Sequence, residues 1–186
     1  MISAEAFEFR QAGWETEQVE HTANSRLVLE LYDREQLSLR RYLICLGLDS
    51  ATAEETVQES FLRLHQHLLA NGDRAHLRGW LYRVAHNVAR NIQVSQRVGK
   101  TKALGDLNLY PEPRAATVSA EQALLESEKE RRLQGAMDQL SEAQRNCLVL
   151  RSQGLKYREI AETLDLSIST VAENVQRGLE RLKETV

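Results

Sequence analysis

Apolar residues recur at helical spacing in three stretches of the first half of the chain, which predicts three α-helices there. The first helix is expected to end near Gly47, and the second to open at Thr52-x-x-Glu55, a capping-box pattern. An Asn-Gly-Asp sequence at 71–73 supplies the break before the third helix. The apolar positions of the three helices are Leu27, Leu31, Leu39, Leu43 and Leu46; Val57, Phe61, Leu64 and Leu68; and Leu77, Trp80, Leu81, Val84, Val88 and Ile92.

A segment with few periodic apolar residues separates this half of the chain from the next. Residues 99–119 contain Gly105, Pro111 and Pro113, a composition typical of a linker. Residues 1–24 follow no clear pattern, so we expect a short helix or a flexible arm there. The chain is predicted to divide into an N-terminal arm, a first helical domain, a linker and a second helical domain, at 1–24, 25–98, 99–119 and 120–186.

Two helices are predicted directly after the linker. Apolar spacing indicates the first of them over 124–140. Ser141-x-x-Gln144 is a capping-box pattern that opens the second, and Gly154 is suited to end it because glycine tolerates a left-handed backbone.

Residues 154–182 then have the pattern of a helix-turn-helix. A tight turn is predicted at Asp165 and Leu166, and Ser167 can cap the helix that follows it. The inward positions are Ile160, Ala161 and Leu164 in the first helix, and Val171, Val175, Leu179 and Leu182 in the second. The second helix of a DNA-binding helix-turn-helix enters the major groove, although helical hairpins of this kind also occur in purely structural bundles.

The polar side of that second helix is the candidate DNA-reading surface. Asn and Arg side chains can make bidentate contacts to adenine and guanine, and Thr170 near the helix N-terminus can reach a phosphate. Ala172 and Glu173 leave the helix only weakly basic. The residues expected to face outward are Ser169, Thr170, Glu173, Asn174 and Arg177.

Composition agrees with a helical protein in which positive charge for DNA binding is concentrated in one part of the chain. The 186 residues include only two prolines, and the fold class is predicted to be all-α, with two small helical domains joined by a linker. A net charge of -3 excludes a uniformly basic nucleic-acid coat. Between Arg63 and Lys102, however, Asp73 is the sole acidic residue, so this stretch can face phosphates.

Other classes of function find little support in the chain. Cys45 and Cys147 lack metal-ligand spacing and are expected to be buried, reduced thiols, and His65 with His67 lacks further ligands. His86 is expected to be an exposed helix residue. There is no phosphate-cradling glycine loop or nucleophile elbow, so we expect no enzyme, cofactor or metal site. Neither a ~20-residue apolar run nor a signal peptide is present, which favours a cytoplasmic protein with no membrane insertion.

Three segments resemble the RNA polymerase sigma factors of the extracytoplasmic-function (ECF) subfamily. The sequences AEETVQESFLRL at 53–64 and RGWLYRVAHNVA at 78–89 resemble the N-terminal core domain of these factors. Residues 154–182 resemble their C-terminal promoter-reading domain. The resemblance covers roughly 25–98 and 120–184, and it implies a transcription initiation factor rather than an enzyme.

This resemblance gives a role to one side of the second helix. Five residues fall at spacings that share a helix side, a pattern that in isolation favours a solvated polar face. In the family, this side docks on the coiled-coil clamp helices of the largest polymerase subunit. The residues concerned are Glu55, Gln58, Glu59, Leu62 and His65.

The third helix gains a role in the same way. Asn87 and Asn91 are one turn apart, and the resemblance implies that their surface reads the −10 promoter element as single-stranded DNA. The loop at about 69–75 resembles the segment that pockets a flipped promoter base. Trp80 is expected to pack in the core rather than act as a wedge. The residues expected to follow the phosphates are Arg83, Arg90, Arg97 and Lys100.

The resemblance implies core RNA polymerase and promoter DNA as partners, and it suggests an anti-sigma factor as a third. Two alternatives stay open at this point. A stand-alone helix-turn-helix regulator would not need the predicted docking side of the second helix. A sigma-like protein could instead sequester partners without initiating transcription. The subfamily often has basic or small residues where this chain has Ala172 and Glu173, which leaves the −35 contact undefined.

Overall fold

A computed structural model describes the backbone of residues 4–99 and 135–185, and the side chains of 22–96 and 135–184. All regular structure in these ranges is helical, which confirms the predicted all-α class. A short helical turn at 135–138 precedes the fourth helix. The helices are α1 (Ala4–Cys45), α2 (Ser50–Leu69), α3 (Leu77–Gly99), α4 (Glu142–Ser152), α5 (Tyr157–Leu164) and α6 (Ile168–Thr185).

Residues 4–24, predicted to be a short helix or a flexible arm, are helical and continuous with the first predicted helix in α1. One local expectation for the first half was wrong. The second helix is capped by Asp49 rather than opened at Thr52. The Asp49 carboxylate accepts hydrogen bonds from the backbone N of Ala51 and Thr52, at 3.1 and 3.0 Å, and so satisfies two amides of the first turn.

Helices α1, α2 and α3 pack against one another around a common apolar core. Most of the predicted inward positions of α1 and α2 are buried there, and the Tyr32 and Phe61 rings meet edge to face at 4.9 Å. Trp80 packs against the core but is only half-buried. The fully buried leucines of this core are Leu39, Leu43, Leu64, Leu68 and Leu81.

The buried surface of α3 is wider than the predicted apolar stripe. It also includes four residues outside that stripe: Tyr82, Ala85, His86 and Ala89. The reason is that α3 has neighbours on two sides, since it packs on α1 and α2 and also on α5 of the second domain. A second packing partner buries a second face of the helix, whatever its polarity.

The second domain contains the predicted helix-turn-helix. Ser141 and Gln144 form a reciprocal capping box at the start of α4, and Gly154 follows that helix with a φ of 87°. Asp165 ends α5 in the left-handed conformation, and the Ser167 hydroxyl accepts a hydrogen bond from the Thr170 amide at 3.0 Å. These predictions of helix ends are confirmed.

One inward position of α6 was assigned wrongly. Leu179 is 46% exposed, whereas Gly178 is buried and faces α4. Val171, Val175 and Gly178 follow one another at spacings of four and three, which keeps them on the same side of a helix with 3.6 residues per turn. A Cβ on Gly178 would lie 2.6 Å from Leu148 Cδ1, so α6 and α4 approach closely there.

The two domains contact each other through α3 and α5, and through α1 and α4. Arg78 on α3 donates a hydrogen bond to the Gln153 carbonyl at the end of α4. The predicted linker and most of the predicted helix at 124–140 lie outside the described residues. Within 4–99 and 135–185, no helix combines the length and apolar composition that a bilayer crossing needs.

Candidate polymerase and DNA interfaces

The five predicted docking residues lie together on the side of α2 that faces away from the core. Glu55, Gln58 and Leu62 are exposed, and Glu59 and His65 are half-buried. Glu59 Oε1 is 2.7 Å from Nε of Arg63, an ion pair open to solvent. Leu62 is 52% exposed at the centre of this group, although it is a large apolar side chain. We call these five residues the docking face.

The predicted DNA-reading residues of α3 also share one side of their helix. Arg83, Asn87, Arg90 and Asn91 are all exposed. At 100° per residue they fall within a sector of about 100°, opposite the buried faces of α3. Arg97 belongs to α3, but its side chain lies outside the described residues, as does the whole of Lys100. We call the four described residues the α3 reading face.

An open cleft adjoins the far end of this face. Its volume is about 440 Å³, and Asn91 stands at the point where it meets the reading face. The cleft is bounded by α2 on one side and by the last turns of α3 on the other. Its lining residues are Arg63, Val88, Asn91, Ile92, Ser95 and Gln96.

The expectation of an exposed His86 was wrong. The residue is 5% exposed, and its Nδ1 lies 2.7 Å from the Tyr42 hydroxyl of α1. Burial, and secondarily the positive charge of Arg90, lower the pKa of His86 to about 4. The imidazole is therefore neutral at physiological pH, and its Nδ1 shares a hydrogen bond with the Tyr42 hydroxyl.

The predicted reading residues of α6 are accessible to different degrees. Ser169, Glu173 and Arg177 are exposed, whereas Thr170 and Asn174 are half-buried. Asn174 Nδ2 donates to the Thr170 carbonyl at 2.9 Å, and Arg177 Nη2 lies 3.5 Å from Glu173 Oε2. Some of the hydrogen-bonding and charged groups of this helix are thus paired with each other within the helix. We call the five residues the α6 reading face.

Sequence reasoning missed a polar connection between α1 and α3. Glu35 is 4% exposed, and its carboxylate lies 2.9 Å from Nε of Arg78. Arg78 also reaches the Gln153 carbonyl in the second domain. Arg78 had stood out only as one member of a basic stretch, and a single glutamate in an amphipathic helix gives no signal that it is buried.

Candidate metal ligands and cysteine thiols do not assemble into a site within the described residues. Among residues 22–96 and 135–184, no group of three or more His, Cys, Asp or Glu side chains could hold a metal ion. The cysteines in these ranges are free thiols, and burial raises the pKa of Cys147 to about 11, which makes it a poor nucleophile at neutral pH.

Comparison with known families identifies this arrangement. The family described as "Sigma-70 region 2" matches residues 31–97, and "Sigma-70, region 4" matches residues 130–182. The first match covers residues 31–45 of α1, all of α2 and α3 as far as residue 97, and the second covers the helix-turn-helix domain.

Individual relatives agree with this match. The chain is 30% identical over 170 residues to the ECF RNA polymerase sigma factor SigL of Mycobacterium tuberculosis, covering 88% of this chain and 91% of SigL. It is 28% identical over 141 residues to the ECF RNA polymerase sigma-E factor of Haemophilus influenzae, covering 71% of this chain and 73% of the relative.

Two solved structures share the fold. One is CnrH in complex with the cytosolic domain of CnrY, with a TM-score of 0.59, 22% identity and coverage of 90% and 92% of the two chains. The other is the sigma factor RpoE in complex with the anti-sigma factor NepR from Bartonella quintana, with a TM-score of 0.60, 18% identity and coverage of 84% and 94%.

The chain belongs to the ECF subfamily of RNA polymerase sigma factors. It is a transcription initiation factor that binds RNA polymerase and directs promoter recognition, and it is not an enzyme. The reading of the chain as a stand-alone helix-turn-helix regulator is therefore set aside, because region 2 is present as well as region 4.

Proposed function

We propose that the docking face of α2 is the surface through which this sigma factor binds core RNA polymerase. An exposed leucine surrounded by carboxylate, amide and imidazole groups suits a protein interface, where an apolar centre is buried inside a polar rim. Glu55 and Glu59 add negative charge, which favours a partner surface rich in arginine and lysine.

The α3 reading face is proposed to bind the −10 element as single-stranded DNA. The exposed Arg83 and Arg90 supply positive charge for phosphates, and the amides of Asn87 and Asn91 supply both donors and acceptors for base edges. The loop that joins α2 to α3 is proposed to take a base out of the stack beside this face. Affinity for unpaired bases then shifts the duplex toward the melted state.

The α6 reading face is proposed to lie in the major groove of the −35 element. Ser169 and Thr170 are at the helix N-terminus, where backbone amides and the helix dipole favour a phosphate. Arg177 is two turns further along and can reach a guanine edge if its pairing with Glu173 is given up.

The separation of three exposed faces on three helices is the observation that carries this proposal. The docking face is acidic and polar, the α3 reading face is cationic and carries amides, and neither is occupied by the contact between the domains. One protein can therefore bind polymerase and still present side chains to DNA.

Three further features belong to the proposal. The division at 99–119, with a linker that allows the domains to separate, follows from composition. An anti-sigma factor is a proposed partner, because the two similar structures contain the partners CnrY and NepR. The cytoplasm is the proposed location, since polymerase and chromosomal DNA are there.

The test is a reconstitution with bacterial core RNA polymerase and templates whose upstream region is randomised. Sequencing the transcripts made by the wild-type holoenzyme reveals the bases selected near −10 and −35. Leu62→Asp is expected to lower the affinity for core polymerase by about tenfold or more, because it removes the apolar contact at the centre of the interface and requires a carboxylate to lose its water there. Asn87→Ala with Asn91→Ala should keep that affinity and lose selection near −10.

Leu37→Asp is the matched control for the docking face. Leu37 is also a leucine, 60% exposed, but it lies on α1 outside the docking face. Its replacement should leave polymerase binding unchanged. Equal losses for the two aspartate variants, or wild-type binding by Leu62→Asp, would overturn the assignment of the docking face. Unchanged selection near −10 in the asparagine variant would overturn that of the α3 reading face.

A further inference from the structure

The loop between α2 and α3, residues 70–76, has a defined conformation rather than a simple reversal of the chain. We call it the capture loop. Asn71 and His76 both have a φ near 55°, in the left-handed region that non-glycine residues rarely adopt. The Asp73 carboxylate accepts a hydrogen bond from the Ala75 amide at 2.8 Å, forming a turn within the loop. Such a conformation needs support from outside the loop.

His67, in the last turn of α2, holds the capture loop in place through two contacts. Its Nε2 donates a hydrogen bond to the Asp73 carbonyl at 3.0 Å. Its ring stacks on the Trp80 indole, with 4.7 Å between the centroids and 27° between the planes. The imidazole thus lies between the middle of the capture loop and the first turn of α3.

Gly72 shows how closely the loop follows the His67 ring. A Cβ at this position would lie 2.2 Å from His67 Cε1, too close for any side chain. The φ of Gly72 lies outside the left-handed region, so the ring and not the backbone conformation requires glycine here. The position of the His67 ring and the conformation of the loop at Gly72 therefore depend on each other.

A second contact anchors the loop at the next residue, Arg74. Arg74 Nη2 donates to Asn24 Oδ1 at 2.9 Å, and Asn24 Nδ2 lies 3.3 Å from the Leu68 carbonyl. Asn24 is 4% exposed, so the anchor is fixed in the core of the first domain. The loop is held at two successive residues, Asp73 and Arg74.

Trp80 connects this support to the DNA surface. It is three residues before Arg83 and seven before Asn87, which places it at the N-terminal end of the α3 reading face. A base held in the capture loop would therefore lie beside the strand that the reading face binds. The capture loop is therefore already in a fixed conformation before the proposed promoter base binds.

We propose that His67 is a positioning residue for this promoter factor, and that its ring sets the loop shape which discriminates one base of the −10 element. The inference rests on the proposed function of the α3 reading face. The physical reason is preorganisation: a loop already held in its bound shape loses less entropy when a base enters, and it keeps its hydrogen-bonding groups at fixed places for the correct base.

The experiment uses the reconstituted holoenzyme and the randomised templates. His67→Ala and Gly72→Ala should each reduce selection at a single −10 position by about fivefold, the size expected for one lost hydrogen bond. Selection at −35 and affinity for core polymerase should stay at wild-type levels. His67→Gln, which can still donate to the Asp73 carbonyl, should recover part of the selection, and it serves as a second variant if His67→Ala folds poorly.

A double variant distinguishes a positioning role of His67 from a general loss of structure. If Gly72→Ala acts by displacing the His67 ring, it should have little further effect in a His67→Ala background, a non-additivity that unrelated losses do not show. Gly135→Ala is the matched control, since a Cβ there meets no described atom within 4 Å. Additive losses spread over all −10 positions would overturn the positioning role.

The same data distinguish this inference from the proposed function. If the wild type itself shows no selection near −10, the proposed role of α3 fails before His67 is considered. If the wild type selects bases there and both His67→Ala and Gly72→Ala keep the full selection, the proposed function stands and the positioning role of His67 is wrong.

Discussion

Glu35 on α1 accepts a hydrogen bond from Arg78 on α3, with 2.9 Å between Glu35 Oε2 and Arg78 Nε. The two side chains are unequally exposed, at 5% for Glu35 and 28% for Arg78. Two guanidinium groups offset the burial of this carboxylate, Arg78 and also Arg34, whose Nε lies 3.1 Å from Glu35 Oε1.

This asymmetry predicts which partner is more costly to remove. Arg78→Ala should lower the free energy of unfolding by about 2 kcal/mol, because it leaves a buried carboxylate with Arg34 alone. Glu35→Gln should cost about 1 kcal/mol or less, because Arg78 remains in partial contact with water. Urea denaturation followed by circular dichroism measures both, and a larger loss for the glutamate variant would contradict the prediction.

The buried pair of Tyr42 and His86 predicts a dependence of stability on pH. The pKa of His86 is about 4 in the folded protein against an ordinary value of 6.5, so in that window the unfolded chain binds a proton that the folded chain does not. The stabilisation is therefore present above pH 6.5 and is lost as the pH falls toward about 4, by up to ~3 kcal/mol.

His86→Asn isolates this contribution. An asparagine amide can keep a hydrogen bond to the Tyr42 hydroxyl, as donor or as acceptor, but it does not titrate. Unfolding free energies measured across this pH window should fall less steeply for the variant than for the wild type. Parallel curves for the two proteins would assign the acid sensitivity to other groups.

Features of the fold and of the candidate sites could be predicted from the sequence when they depend on residues within one helix, and not when they depend on helices distant in sequence. The docking face depends only on the spacing of residues within α2, so its five members were found together. The burial of Tyr82 and His86 depends on α1 and α5, which are distant in sequence. No periodicity within α3 could indicate that a polar face would be covered from outside.

Local competition explains the smaller errors. Asp49 and Thr52 are both capable of capping, and the aspartate, three residues earlier, takes the first-turn amides. In α6, Leu179 is more apolar than Gly178, yet the close approach of Leu148 leaves room only for the glycine. Apolar character alone did not identify the inward residue there.

The ion pair on α6 predicts a gain of DNA affinity on substitution. Glu173 and Arg177 are both about two-thirds exposed, so their pairing contributes little to stability. Glu173→Gln removes a negative charge from the proposed DNA-binding surface and leaves Arg177 available to phosphates as well as to a guanine edge. Binding of the holoenzyme to a selected −35 duplex should strengthen about threefold, with a salt dependence steeper by about one released counterion.

Glu184→Gln is the matched control for this prediction. It makes the same change of charge in the same helix, but near its C-terminal end and outside the α6 reading face. It should leave the affinity and the salt dependence close to those of the wild type. An equal gain for the two variants would show a general effect of net charge instead of a local one.

The contact between the domains sets a limit on promoter binding. Helix α5 lies on α3, and α6 lies beside α5, so the two reading helices are separated by about two helix-packing distances, ~20 Å. Elements near −10 and −35 are about 25 base pairs apart, or ~85 Å of B-DNA at ~3.4 Å per step. We therefore predict that both proposed reading faces reach their elements only after α5 has left α3.

Gly79 offers a way to test this requirement for opening. A Cβ at this buried position in α3 would lie 3.1 Å from Glu159 Cγ of α5, so a larger side chain should push the second domain away. Leucine is also a better helix former than glycine, which protects the first domain. Gly79→Leu should expand the free protein in small-angle scattering and raise open-complex formation at limiting sigma by about twofold, since less binding energy is used to separate the domains. Gly135→Leu should do neither, and expansion without any gain in initiation would show that closure does not compete with the promoter.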